Sequence, residues 1–194
     1  MSIRIATQQD LEQILAIYAP YVENTTVSFE YEVPSGDAFR QRFLEITARF
    51  PWLVWEEEGC ILGYAYACAP FARAAYQWCC EPSIYLRSDA RGQGIGKKLY
   101  TVLEEILRQQ GFCLSYAIIT SENEDSLAFH RHMGYSHLAF FPDCGCKHNK
   151  LLGITWMQKQ LKSAVLPMNP PVPFPVFVQD DKIFRNILAK MSLS

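Results

Sequence analysis

The hydrophobic residues of this chain follow two periods, one typical of strands and one typical of helices. Short runs of β-branched, aromatic and aliphatic residues, bounded by Gly, Pro or Asn, predict strands. A Glu58-Gly59 turn between two of these runs predicts a hairpin. The predicted strands are, in chain order, 3–6, 52–55, 61–67, 82–86, 114–120, 135–141 and 151–157.

Between the runs, apolar residues spaced three and four apart predict helices. The Thr7 and Asp10 pair predicts a capped start for the first helix, and Ser35 the start of the second. A third helix is predicted to end at Gly111, and Asn123 is predicted to cap a fourth that runs to about Met133. Together these elements predict a mixed α/β layer structure with two early helices, an antiparallel meander and a late β-α-β-β portion.

The segment 91–96, Arg-Gly-Gln-Gly-Ile-Gly, lies between a predicted strand and the third helix. Glycines let the backbone approach a ligand, and the first N–H groups of a helix have no partner within the helix. Those donors and the helix dipole favour a phosphate or pyrophosphate. A phosphate-binding P-loop would end in Gly-Lys-Ser or Gly-Lys-Thr, and a dinucleotide fingerprint would space its glycines differently, so neither motif fits.

The pattern R-x-x-G-x-G that remains resembles the acetyl-CoA pyrophosphate loop of the GNAT superfamily of N-acyltransferases. Further segments resemble one branch of it, the phosphinothricin N-acetyltransferase family, over about residues 2 to 162. These segments are 17–22, 25–30, 64–67, 73–78, 81–86, 127–130 and 134–135.

The resemblance implies an α/β (α+β) GNAT fold, with a mixed, mostly antiparallel central sheet flanked by helices. It also implies a cytoplasmic bacterial homodimer that acetylates the amino group of a small amino-acid-like acceptor, with acetyl-CoA as co-substrate and without a metal. The domain would occupy residues 1–162, followed by a proline-rich arm and a short helix in residues 163–194.

Three residues are candidates for proton transfer. Glu81 matches the family's catalytic glutamate, and the neighbouring Trp78 and Cys80 could desolvate its carboxylate and raise its pKa. His148 matches a histidine of the family's Lys-His segment and is a second candidate base. His130 stands where many GNAT enzymes have a tyrosine, so it would either protonate the leaving thiolate or hold the cofactor sulfur by a hydrogen bond.

The resemblance also assigns binding residues. The backbone of the strand would pair with the pantetheine arm, and the loop would hold the pyrophosphate. The expected cofactor contacts are Ile84, Tyr85, Leu86, Arg91, Gly92, Gln93, Gly94, Ile95, Gly96, Lys97 and Asn123. The expected acceptor contacts are Arg73, which suits a carboxylate, together with Tyr76, Phe29 and Glu30.

One departure concerns the acceptor. Family members commonly carry Trp and Asp in the last strand, where this chain has Leu151-Leu152-Gly153. The difference puts phosphinothricin itself in doubt, and relatives that act on methionine sulfoximine, methionine sulfone or arsenic-bearing analogues fit equally well. Two other classes stay open: a protein, peptide or polyamine N-acetyltransferase, and a non-catalytic acyl-CoA-binding sensor.

Composition narrows the class of partner and the compartment. A net charge of −2 provides no general basic field for nucleic acid, and no apolar run is long enough for a membrane span. Seven cysteines, an odd number, together with the absence of a signal-peptide pattern, favour reduced thiols in the cytoplasm. Cys144, Cys146 and His148 have metal-type spacing but lack the second pair that a zinc site needs.

The end of the chain departs from the family core. Five prolines make Leu166–Pro175, here called the proline-rich arm, an extended segment. Residues 180–190 then resume a helical pattern with Ile183, Phe184, Ile187 and Leu188 on one face. Since so short a helix is unstable alone, we expect it to dock on its own domain or across a dimer interface.

Overall fold

A computed structural model describes residues 2–179 and 181–191. A seven-stranded sheet crosses the molecule in the order β1-β2-β3-β4-β5-β7-β6, and every neighbouring pair is antiparallel except β4 and β5. This confirms the expected mixed, mostly antiparallel sheet. The strands are β1 Ser2–Ile5, β2 Trp52–Glu57, β3 Cys60–Cys68, β4 Cys79–Leu86, β5 Leu114–Thr120, β6 Ser136–Lys147 and β7 Lys150–Gln160.

Helices flank both faces of the sheet. The capping box of Thr7 and Asp10 forms, although a 3-10 turn at Gln8–Asp10 precedes the first α-helix. Ser35 caps the second helix by accepting from the Ala38 N–H. The helices are α1 Leu11–Asn24, α2 Gly36–Thr47, α3 Ile95–Gln110, α4 Glu124–His132, α5 Phe174–Phe177 and α6 Asp181–Met191. Within the described part of the chain, no helix combines the length and apolar character that a bilayer crossing needs.

The alternation of side chains along β2 and β3 divides the core into two layers. Trp52, Val54 and Tyr64 face α1 and α2. Leu53 and Ala65 point to the opposite face, where they pack against α3. The sheet is therefore apolar and buried on both faces over this half.

The last strands differ from the prediction. β6 continues past the predicted end at 141 to Lys147, with irregular pairing on either side of residues 142–144. A two-residue turn, His148 and Asn149, joins β6 to β7, and both residues have positive φ. The sequence pattern ended early because Pro142, Asp143 and Gly145 are residues that usually interrupt a strand.

The proline-rich arm bends at Leu166 and Pro167 and then continues without helix or strand to Pro173. Phe174 and Pro175 belong to α5, so the expectation of an extended segment through Pro175 is wrong at its end. Proline suits the first turn of a helix, where its missing N–H costs nothing. Phe184 and Ile187 of α6 are buried in the core cluster that contains α3. The apolar face of α6 is thus buried within its own chain; the predicted start of that helix, Asp180, lies outside the described residues.

Candidate active site

The candidate site is a cleft between β4 and β5. These parallel strands pair only at Cys79 with Leu114 and at Cys80 with Ser115, and then diverge. The cleft begins at Glu81, has a cavity volume of about 270 Å³ and is open to solvent. Its walls include six of the predicted cofactor contacts. They are Ile84, Tyr85, Leu86, Arg91, Gly96 and Asn123.

Glu81 lies where the two strands separate, and it lines the cleft. Burial raises the pKa of its carboxyl from the usual 4.5 to about 7. The only cause is desolvation, since the carboxylate has no compensating cation among the described residues. At neutral pH the group is therefore divided between its acid and base forms, which suits general base catalysis.

The glycine loop leads directly into α3. Gly92 and Gly94 have φ of 75° and 77°, a left-handed conformation that strains residues with a side chain. This conformation turns the chain so that α3 starts at Ile95, and Gly96 in its first turn lines the cleft. The glycine loop and the start of α3 thus lie beside the cleft, and their contacts with a pyrophosphate stay a prediction.

The remaining loop residues lie at the mouth of the cleft or behind it. Ile95 is buried in the core, so only its backbone can serve a ligand. The side chain of Gln93 donates to the carbonyl of Asp89 at 2.9 Å, and Lys97 is exposed to solvent. Arg91 lies over the ring of Tyr21 at 5.2 Å.

Tyr21, to which the sequence assigned no role, contacts the backbone of β4. Its hydroxyl donates to the Leu86 carbonyl at 2.6 Å and accepts from the Leu86 N–H at 3.2 Å. Its sequence signal was its place in segment 17–22, one of the segments that carry the family resemblance. Both backbone groups of Leu86 are thus already satisfied, and Tyr85 pairs with Tyr64 of β3. Since the backbone groups of successive strand residues face opposite sides, Ile84 is the one of the three that keeps its backbone for a pantetheine chain.

His130 lines the cleft, but both of its ring nitrogens are engaged by the protein. Nδ1 lies 2.8 Å from the carbonyl oxygen of Ser126, which can only accept, so Nδ1 carries the proton. Nε2 then accepts from the Tyr100 hydroxyl at 3.0 Å. Burial also lowers the pKa of His130, whose exposed fraction is only 4%. Neither expected role toward the cofactor sulfur therefore has a free ring nitrogen in this structure.

Asn123 caps α4 as expected. Its side-chain oxygen accepts from the Ser126 N–H at 3.1 Å, which leaves the amide nitrogen for the cleft. His148, in contrast, is exposed at the tip of the β6–β7 hairpin and does not line the cleft. The structure thus brings Glu81 and His130 to one cleft and places His148 elsewhere.

Two of the expected acceptor residues lie together beside the hairpin. Phe29 packs on Gly145, and a side chain at position 145 would collide with its ring. Glu30 accepts from Arg42 at 2.5 Å, and its other carboxylate oxygen is buried without a partner among the described residues. The loop that holds them is tied to β6 by Lys147, whose buried ammonium donates to two backbone carbonyls at 2.6 Å.

The other two, Arg73 and Tyr76, lie in the loop of residues 69–78 between β3 and β4, here called the β3–β4 loop. Arg73 is exposed at the start of a 3-10 turn, and Tyr76 contacts the ring of Phe71 at 4.7 Å. Neither lines the cleft, but the loop runs directly into Glu81.

The departure in the last strand has a structural reason. Leu152 is buried, and the absence of a side chain at Gly153 leaves space for the ring of Phe140 from the neighbouring strand. Cys144, Cys146 and His148 are exposed, and among the described residues no three His, Cys, Asp or Glu side chains form a group that could hold a metal ion.

Comparisons with known proteins agree with this geometry. The phosphinothricin N-acetyltransferase of Streptomyces viridochromogenes is 32% identical over 89% of this chain and 92% of its own. The L-methionine sulfoximine/L-methionine sulfone acetyltransferase of Pseudomonas paraeruginosa is 39% identical over 82% of this chain and 94% of its own. A phosphinothricin acetyltransferase from Sinorhizobium meliloti, solved in complex with acetyl-CoA, is similar with a TM-score of 0.82 and 33% identity, covering 89% of this chain and 97% of that one. The model of the family described as Acetyltransferase (GNAT) domain matches residues 3–156. The chain therefore belongs to this acetyltransferase family.

Proposed function

We propose that this enzyme transfers the acetyl group of acetyl-CoA to the amino group of a small amino-acid-like acceptor, by direct attack in a ternary complex. The observation that carries the proposal is the position of Glu81, a buried carboxyl at the point where the cleft opens. The acceptors named for the relatives, phosphinothricin and methionine sulfoximine or sulfone, are amino acids, which supports this acceptor class.

In this proposal the glycine loop and its helix hold the co-substrate. Backbone N–H groups from Gly92 to Lys97 donate to the pyrophosphate, and Arg91 and Lys97 add positive charge. The Ile84 backbone pairs with the pantetheine arm, Tyr85 and Leu86 line its path, and the Asn123 amide donates to it along α4. The acetyl-CoA complex of the Sinorhizobium relative supports this assignment.

Glu81 is the proposed general base. The acceptor arrives as an ammonium ion and must lose a proton before its nitrogen can attack the thioester carbonyl. Glu81 removes that proton directly or through one water, while a backbone N–H of β4 polarises the carbonyl. His148 is the second candidate, and its position at the hairpin tip gives it less support than Glu81 has.

His130 is proposed as a neutral residue that orients the groups around the leaving sulfur. Its Nδ1–H faces Ser126, whose hydroxyl is 3.3 Å away and lines the cleft. Its Nε2 fixes Tyr100 in the buried cluster beneath. The proton that the leaving thiolate needs then comes from the nitrogen that has attacked, which is cationic in the tetrahedral intermediate, or from solvent.

The acceptor carboxylate is assigned to Arg73, whose exposed guanidinium has a fork geometry suited to two carboxylate oxygens. Tyr76 would flank the acceptor on the same loop, and Phe29 and Glu30 would close its far side. A carboxylate anchor favours free amino acids over polyamines, which carry no carboxylate.

A homodimer is the proposed assembly. The outer hairpin of β6 and β7 exposes several large apolar side chains, and such patches mark interaction surfaces. These side chains are Leu138, Phe140, Phe141 and Leu151. Sedimentation of the protein and of a Leu151→Lys variant tests this, since a charge inside the interface should yield a monomer.

The seven free thiols support a reducing, cytoplasmic location.

The experiment that tests the function is a panel assay of thiol release from acetyl-CoA. The panel contains amino acids, phosphinothricin-like analogues, methionine sulfoximine and sulfone, polyamines and short peptides. We expect the amino-acid analogues to react fastest. A preference for polyamines or peptides would replace the acceptor class, and binding of acetyl-CoA without any turnover would favour the acyl-CoA sensor.

A further inference from the structure

The proline-rich arm contacts the segment that leads into the cleft. The indole Nε1–H of Trp78 donates to the backbone carbonyl of Asn169 at 2.9 Å. Trp78 is the last residue of the β3–β4 loop, three residues before Glu81. Its own carbonyl accepts from the Cys113 N–H at 2.8 Å, so the arm and β5 hold the same residue from two sides.

The arm is itself fixed to the end of α3. Val172 and Gln110 exchange two hydrogen bonds of 2.8 Å: the Val172 N–H donates to the Gln110 carbonyl, and the Gln110 side chain donates to the Val172 carbonyl. Pro171 lies against Gly111, where a side chain at 111 would meet the proline at 3.4 Å. Asn169 therefore belongs to a segment with a defined position.

Arg49 joins the arm and the loop a second time. Its guanidinium donates to the carbonyl of Gln77 at 2.6 Å, and its backbone carbonyl accepts from the Phe174 N–H at 3.0 Å. The guanidinium lies 5.2 Å from the ring centroid of Phe50 and 5.7 Å from that of Phe112. One arginine thus links the arm, the loop and the core.

The first part of the β3–β4 loop packs less against the rest of the protein than its end at Gln77 and Trp78 does. Residues 72–76, which include Arg73 and Tyr76, are exposed, and the ring of Phe71 anchors this part against Tyr116 at 5.9 Å and Trp156 at 5.8 Å. The direction in which Arg73 projects consequently depends on how firmly the other end of the loop, at Gln77 and Trp78, is held.

We propose that the proline-rich arm is a brace that positions the acceptor-binding loop, with Trp78 and Arg49 as the positioning residues. The inference rests on the proposed function, in which Arg73 and Tyr76 contact the acceptor. Bracing one end of an exposed loop reduces the conformations that its charged side chain samples, so the acceptor loses less entropy on binding.

The test is Trp78→Phe, which keeps an aromatic ring but removes the indole donor to Asn169. We expect the KM of the acceptor to rise about two- to tenfold, the effect of one net hydrogen bond, while the KM of acetyl-CoA stays unchanged. Arg49→Met should act in the same direction through Gln77. An unchanged acceptor KM in both variants, or a parallel rise in both KM values, overturns the proposal.

The control for a general loss of stability is Ile106→Val, in the same core cluster but outside the loop and the arm. It should lower the melting temperature without changing the acceptor KM. Amide hydrogen exchange supplies a readout that needs no acceptor: residues 71–78 should exchange faster in Trp78→Phe, and 114–120 should not. If the acceptor panel fails, this measurement still decides, because unchanged exchange in the loop overturns the brace.

Discussion

Glu81 and Cys68 lie directly opposite each other on neighbouring antiparallel strands, and the Cys68 thiol contacts the Glu81 backbone carbonyl at 3.7 Å. Burial and the nearby carboxylate raise the pKa of Cys68 to about 12, so the thiol is neutral at physiological pH. The proposed base therefore has an uncharged, weakly polar neighbour where a cation would hold its pKa low.

The first prediction concerns the rate. Because Glu81 must be ionised to accept a proton, kcat/KM should rise with pH up to about 7 and fall about tenfold per unit below it. Glu81→Gln should lower kcat by roughly 10²–10⁴-fold and abolish the fall in kcat/KM below pH 7, while the affinity for acetyl-CoA is preserved. Steady-state kinetics from pH 5 to 9 measure the pH dependence, and calorimetry measures the affinity for acetyl-CoA. His148→Gln is the matched control and should keep the fall in kcat/KM below pH 7.

The second prediction concerns stability. The folded pKa of Glu81, about 7, exceeds the usual 4.5, so the folded state binds more protons between these values and loses stability as the pH rises. The free energy of unfolding falls by roughly 3 kcal/mol at most, because each unit of pKa difference corresponds to about 1.4 kcal/mol. Glu81→Gln should therefore be more stable than the unchanged protein at pH 8 and gain little at pH 4.5. Urea titrations at the two pH values measure the difference, and an equal gain at both would contradict a buried, ionising carboxyl.

Local signals in the sequence predicted local structure well. The limits of β5 and the end of α3 at Gly111 follow from runs of neighbouring residues, and the structure confirms them. The Asn123 cap formed for the same reason, since a cap needs only its own first turn. The position of the glycine loop before α3 required no knowledge of distant contacts.

Features that depend on distant residues were not visible in the pattern. The cleft exists because β4 and β5 separate after Cys80, and nothing in either strand's composition states where their pairing ends. The hydrogen bond between His130 and Tyr100 joins residues thirty positions apart. The sequence pattern does not reveal such a contact, so His130 was expected to have a free ring nitrogen for the cofactor sulfur. The site residues assigned by resemblance stay predictions until variants are measured.

The third prediction tests the glycine loop. Gly94 has φ of 77°, so Gly94→Val imposes left-handed strain of roughly 1–2 kcal/mol and adds a side chain beside the first turn of α3. We expect the variant to fold and to lose detectable acetyl-CoA binding in calorimetry. Gly59→Val is the control, since Gly59 has φ of 81° in the β2–β3 turn, away from the cleft. If both variants bind acetyl-CoA with unchanged affinity, the loop does not hold the pyrophosphate.

The fourth prediction concerns Arg73 and decides the kind of acceptor. If its guanidinium holds the acceptor carboxylate, Arg73→Ala should lower kcat/KM for the amino acid about ten- to hundredfold, because a hydrogen bond to a charged group contributes about 1.5–3 kcal/mol. The KM of acetyl-CoA should not change, since Arg73 lies outside the cleft. Arg73→Lys keeps the charge without the planar fork and should restore activity only in part.

Decarboxylated and esterified acceptors provide the internal control for Arg73. They lack the negative charge that the guanidinium would hold, so they should react poorly with the unchanged enzyme and be indifferent to Arg73→Ala. Measuring amino acid and amine pairs on all three proteins separates loss of the carboxylate contact from general damage to the β3–β4 loop, which would slow both members of each pair. Equal rates for the amine and its amino acid, with and without Arg73, would transfer the acceptor to the polyamines or to peptide amines.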